Sequence, residues 1–235
     1  MSDYQQQNRF PQRKKNALDN YAFRISAPVE GEQGKWSSLV WALSGNNLAI
    51  KVYTGASSDQ GNNNGLIQAR LEGIHFFAFL EMIKEAIESK EEYKNKIEFS
   101  NYIYPGGKRS DKPVTLSTVY VGRNKEGLIW VSVIDNLKKE RPRIQFPFGG
   151  GRNYKFKHAD SSDYLPAETS QLIAKAFYNA LSHIGTHLMV TEYKESEKKN
   201  KGNNNNNRGG NGENSYYQNS NNNSSSNDDD SDIPF

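Results

Sequence analysis

The chain has 235 residues, 30 of them Lys or Arg and 27 Asp or Glu, and no cysteine. Structural disulfides and thiolate metal sites are thereby excluded, and a reducing, intracellular setting is expected. No apolar run reaches bilayer length, and residues 1–15 are polar and basic, so neither a membrane anchor nor a secretory signal is expected.

The net charge of +3 hides an asymmetry. Residues 228–235 hold four aspartates and no base; without them 30 basic and 23 acidic residues leave a net +7. Residues 102–157 hold 12 basic side chains against 4 acidic, a net +8. This points to a polyanion-binding body with a tail of opposite sign.

Residues 1–17 read as a loose arm carrying Arg9, Arg13, Lys14 and Lys15, and the periodicity of a folded body runs over 18–194. Tyr21, Phe23, Ile25 and Ala27 alternate as in a strand. Residues 36–43 and 48–53 flank Gly45-Asn46-Asn47, a hairpin signature. A Gly/Asn loop over 55–65 precedes a strand around 66–72. Phe76, Phe79, Leu80, Ile83 and Ile87 recur at three- and four-residue spacing, predicting a helix over about 73–89. Strands follow at 96–104, 114–122 and 128–134, the last two joined by the polar loop Arg123-Asn124-Lys125-Glu126-Gly127. Pro142 and Pro147 make 142–148 an edge or irregular strand. A second helix starts near Pro166, with Leu172, Ile173, Ala176, Phe177, Ala180, Leu181 and Ile184 as its buried stripe. Residues 195–227 collapse to Asn, Ser and Gly, which predicts a disordered linker, and 228–235 form an acidic tip. No internal repeat is evident. The expected fold is mainly β with two added α-helices. An OB-type antiparallel β-barrel is preferred over a sandwich or another small barrel.

Cations that follow phosphates and aromatic faces that stack on bases are what a single-strand binder needs. The basic middle interleaves both. Trp36, Tyr102, Tyr104, Tyr120, Trp130 and Tyr154 are candidate stacking residues, with Phe146, Phe148 and Phe156 nearby in sequence. Lys108, Arg109, Arg123, Lys125, Arg141, Arg143, Arg152, Lys155 and Lys157 are candidate phosphate contacts. Loops 105–112, 123–127 and 149–157 are natural carriers. Trp41 and Trp130 sit in apolar strands, where a core position competes with contact to DNA.

Enzyme signals are thin. His183 and His187 stand one helical turn apart without the glutamate of a zincin motif. Pro105-Gly106-Gly107-Lys108-Arg109-Ser110 lacks phosphate-loop spacing, and the glycines at 149–151 lack a dinucleotide pattern. A protein without catalysis, metal or cofactor is expected.

The tip reads Asp228-Asp229-Asp230-Ser231-Asp232-Ile233-Pro234-Phe235. Ile233 and Phe235 suit an apolar pocket on a partner, the carboxylates suit Lys and Arg around it, and Pro234 stiffens the end. This ending resembles the C-terminal tip of bacterial single-stranded DNA-binding proteins, an aspartate run that closes in Asp-Ile-Pro-Phe after a polar, glycine-rich linker. Ser231 departs from it by interrupting the run. The body is more similar to the elaborated single-stranded DNA-binding proteins of bacteriophages, which pair a divergent OB-like body with an acidic, aromatic-ended tail. The resemblance implies sequence-nonspecific binding that protects exposed DNA in replication, recombination and repair. It implies recruitment of partner proteins through Asp228, Asp229, Asp230, Asp232, Ile233, Pro234 and Phe235, and a bacterial or host cytoplasm as location. The alternatives are an RNA-binding protein, separable with matched poly-dT and poly-U, and a replication-complex interaction protein without direct DNA affinity.

Overall fold

A computed structural model describes residues 17–19, 23–44, 47–149 and 154–191. The basic arm, Tyr21, Gly45, Asn46, Arg152, the linker and the tip lie outside the described residues.

Four strands open the body: β1 (Ile25–Pro28), β2 (Trp36–Ser44), β3 (Asn47–Tyr53) and β4 (Leu66–Leu71). They pair in sequence order as one antiparallel meander. Ser44 pairs with Asn47, so the hairpin expected here is present. The alternation that predicted these strands sets their faces, because successive side chains point opposite ways. Leu39, Trp41, Ile50, Val52, Ile67 and Ala69 line the buried side.

Helix α1 (Ile74–Glu88) follows, close to its predicted span. Phe76, Phe79, Leu80, Ile83, Ala86 and Ile87 form its buried stripe. The chain then repeats the pattern. Strands β5 (Tyr93–Asn101), β6 (Val114–Arg123), β7 (Ile129–Asp135) and β8 (Phe146–Pro147) form a second antiparallel meander, and α2 (Pro166–Thr191) ends the body. The four-strands-then-helix order therefore occurs twice, although no repeat is legible in the sequence. One hydrophobic cluster joins both sheets and both helices.

The molecule is thus mainly β with two α-helices, as expected. Its strands form two open four-stranded sheets, where the sequence reading expected a closed barrel. The reason is the pairing: among the described residues β4 hydrogen-bonds only to β3 and β5 only to β6, and no ladder carries one sheet into the other. Three further expectations shift. The first strand starts at Ile25, with Phe23 in a preceding turn. The strand expected at 96–104 runs over Tyr93–Asn101 instead. The prolines of 142–148 leave only the two-residue edge strand β8.

The expected stripe of α2 is present in part, with Leu181 buried and Ile173, Phe177 and Ile184 packed against the core, and small residues extend it. Ser170, Ala174, Leu181, Gly185 and Leu188 are buried, whereas Leu172 and Ala176 are exposed. Small residues set this face. The Ser170 hydroxyl accepts the Ile129 N–H at 2.9 Å and ties α2 to β7. A Cβ on Gly185 would stand 2.5 Å from the Phe76 ring, so only glycine lets the two helices come this close. The start of α2 is capped by Glu168, whose carboxylate accepts the Leu165 N–H at 2.7 Å.

Candidate functional site

The residues between β5 and β6 bring several candidates together. Ser110 closes this loop on itself. Its N–H donates to the Ile103 carbonyl at 2.8 Å, and its hydroxyl accepts the Ile103 N–H at 3.2 Å while donating to the Lys112 carbonyl at 2.8 Å. A turn at Pro105–Gly107, with Gly106 and Gly107 both at positive φ, reverses the chain. The Arg109 guanidinium lies over the Tyr102 ring, 3.6 Å from its centroid. Tyr104 is 59% exposed, and Lys108 and Arg109 are exposed beside it. The loop therefore offers one ring already paired with a cation, one open ring and two accessible positive charges.

The outer face of the second sheet adjoins this loop through β5. Register sets Lys96 opposite Tyr120 and Lys94 opposite Gly122. The Lys94 ammonium sits 5.1 Å from the Tyr120 ring centroid. Such a contact is worth about 0.5–1 kcal/mol at an exposed site. Lys96 pairs with Glu98, and this charge-assisted hydrogen bond raises the lysine pKa. Lys94 and Lys96 were missed by the sequence reading, although the alternation Lys94-Asn95-Lys96-Ile97 places both on the face of Tyr120 once the register is known.

Other candidates lie apart from this cluster. Trp36 is 48% exposed at the start of β2, on the outer face of the first sheet. Tyr154 and Lys155 are exposed. Lys157 donates to the Ser161 carbonyl and pairs with Asp163 at 2.9 Å, and its hydrogen bond to that carboxylate pulls the Asp163 pKa down. Lys125 is exposed at the β6–β7 turn. Arg123 is half-buried, with one guanidinium nitrogen buried and without a partner among the described residues. Arg143 is exposed on the rim of an open groove of about 580 Å³.

The structure removes two candidates. Trp130 is only 7% exposed: its ring lies across Gly122, where a Cβ would come within 2.3 Å of it. Arg141 is an internal clip. Its guanidinium holds Asp59 through both carboxylate oxygens, at 2.9 and 2.8 Å, and reaches Asp135 at 3.1 Å and the Leu66 carbonyl at 3.1 Å. Burial opposes the charge on both Asp59 and Arg141. Hydrogen bonds from Arg141, Thr54 and Asn62 outweigh it at Asp59, whose pKa falls, and the two carboxylates outweigh it at Arg141, whose pKa rises. Phe146 and Phe148, read as neighbours of the basic run, are core side chains. So is Trp41, whose indole N–H donates to the Phe23 carbonyl at 3.0 Å.

Among the described residues no three or more His, Cys, Asp or Glu side chains converge as metal ligands, and no helix is long and apolar enough to cross a membrane. His183 and His187 are exposed on α2. Compared with known proteins, the chain matches no family model, no curated protein and no solved structure.

Proposed function

We propose that the body binds single-stranded DNA without sequence preference and that residues 228–235 recruit replication, recombination or repair proteins. The observation that carries the DNA reading is the tied loop between β5 and β6, where Arg109 stacks on Tyr102 beside the exposed Tyr104 and Lys108. The Lys94–Tyr120 pair extends the same combination along the adjoining sheet face. Each stacked base contributes about 1–3 kcal/mol, and every base has a ring face to offer, so sequence matters little. Duplex DNA hides those faces, which gives the preference for unpaired strands. An OB-type barrel is not required, because an open sheet with its loops supplies the same rings and cations. The tip reading rests on the likeness of Asp232-Ile233-Pro234-Phe235 to the ending of bacterial single-stranded DNA-binding proteins. A cytoplasmic setting, in a bacterium or a phage host, and an absence of catalysis belong to the same proposal.

The test is fluorescence anisotropy of a labelled oligo-dT of about 30 nucleotides, against a duplex of equal length, at two salt concentrations. Tighter binding to the single strand, weakening as salt rises, is expected. The Tyr102→Ala/Tyr104→Ala variant should lose about tenfold or more in affinity. Equal affinity for duplex and single strand, or an unaffected double variant, would overturn the proposal.

A further inference from the structure

The outer face of the first sheet carries a second aromatic and basic array. Its pairing rows are Pro28 with Trp36, then Ser26, Ser38, Tyr53 and Leu66, then Val40, Lys51 and Gln68, then Ala42, Ala49 and Arg70. None of these positions is acidic, in a chain with 27 carboxylate side chains. Trp36 and Tyr53 are 48% and 42% exposed, and neither Lys51 nor Arg70 has an acidic partner among the described residues.

The geometry suits an unstacked strand. Trp36 and Tyr53 are diagonal neighbours, about 7–8 Å apart. That is roughly twice the ~3.4 Å rise between stacked bases. Two bases resting on these rings are therefore separated from each other, as in an extended single strand. The rows continue at about 7 Å intervals in the same direction to Lys51 and then Arg70. Ser38, small and half-buried, leaves the floor low beside Trp36 and Tyr53, whereas Ala42 and Ala49 in the row of Arg70 are buried.

We infer that this face, through Trp36, Tyr53, Lys51 and Arg70, is a second contact site for single-stranded DNA, separate from the β5–β6 loop. The inference rests on the single-strand reading proposed above and extends it: one long strand engages both sheets, whereas a short one is satisfied by the loop alone. The repeated four-strands-then-helix order supplies the two faces.

Intrinsic fluorescence of the full chain tests this directly, because Trp36 is the exposed one of three tryptophans. Saturation with long oligo-dT should quench emission in the wild type, and Trp36→Phe should abolish the quench. In anisotropy with labelled oligo-dT, Lys51→Glu/Arg70→Glu and Tyr53→Ala should each weaken binding of an oligomer of about 30 nucleotides by about tenfold, and of one of about 6 nucleotides by less than twofold. Wild-type affinity of these variants for the long oligomer, or a wild-type emission unchanged at saturation, overturns the second face and leaves the loop site standing. Absence of binding by the wild-type chain in the anisotropy assay overturns the single-strand reading and this face together.

Discussion

Arg141 shows how burial changes what a cation does. It stands in the run Arg141-Pro142-Arg143, where composition suggests phosphate contacts, yet its side chain is only 4% exposed and holds two carboxylates. A guanidinium in its fork geometry satisfies Asp59 bidentately and still reaches Asp135 and two backbone carbonyls. Removing one member of a buried pair leaves the others charged and unpaired, which costs about 3–5 kcal/mol. Arg141→Met is therefore expected to lower the urea unfolding free energy by that amount, while Arg143→Met, at an exposed position, changes it by less than about 0.5 kcal/mol. Equal effects of the two substitutions would show that Arg141 is not an internal clip.

Local order in the β5–β6 loop depends on few bonds, and Ser110 makes the three that tie its two ends together. Its hydroxyl satisfies the Ile103 N–H and the Lys112 carbonyl across the base of the loop. Ser110→Ala removes both while the backbone bond from Ser110 to Ile103 remains. A loss of about 1 kcal/mol or less in global stability is expected. On the proposed function, oligo-dT affinity falls several-fold in anisotropy, because Tyr104 and the Tyr102–Arg109 pair are no longer preorganised. A larger loss of stability than of affinity would contradict this division. At the same scale, α2 shows what a count of large apolar residues leaves out: it found Ile173, Phe177, Leu181 and Ile184 but not the closest contacts. Ser170 and Gly185 make the close contacts, and neither contributes to a hydrophobic pattern.

Across the molecule, the shifted titrations define a pH window. The Glu32 carboxyl is lowered to about 2 by hydrogen bonds from Lys35 and Ser57. Asp59 is lowered despite its burial, and Asp160 and Asp163 are lowered by hydrogen bonds from Ser162 and Lys157. A carboxylate whose folded pKa is depressed stabilises the fold above its unfolded pKa, and this contribution disappears as pH falls through the folded value. Tyr93 shifts the other way, to about 12, through burial and then its hydrogen bond to Glu85. Its contribution is complete below the unfolded value near 10 and is lost as pH rises toward 12. Urea midpoints should form a plateau between about pH 5 and pH 10 and decline on both sides. The acid limb should flatten in Asp59→Asn, and the alkaline limb should flatten in Tyr93→Phe.

Sequence alone determined the local elements. Burial periodicity is written within a single segment, so the hairpin at residues 44–47, the α1 stripe from Phe76 to Ile87 and the start of α2 at Pro166 were all legible. The tertiary structure alone decided which strands pair, and so replaced a barrel with two open sheets. It also decided which cations face inward. Asp59 and Arg141 meet across 82 residues of chain, and Trp130 is covered because Gly122 on the neighbouring strand leaves room for its ring. Such contacts join segments far apart in the chain, and no periodicity within either segment encodes its partner.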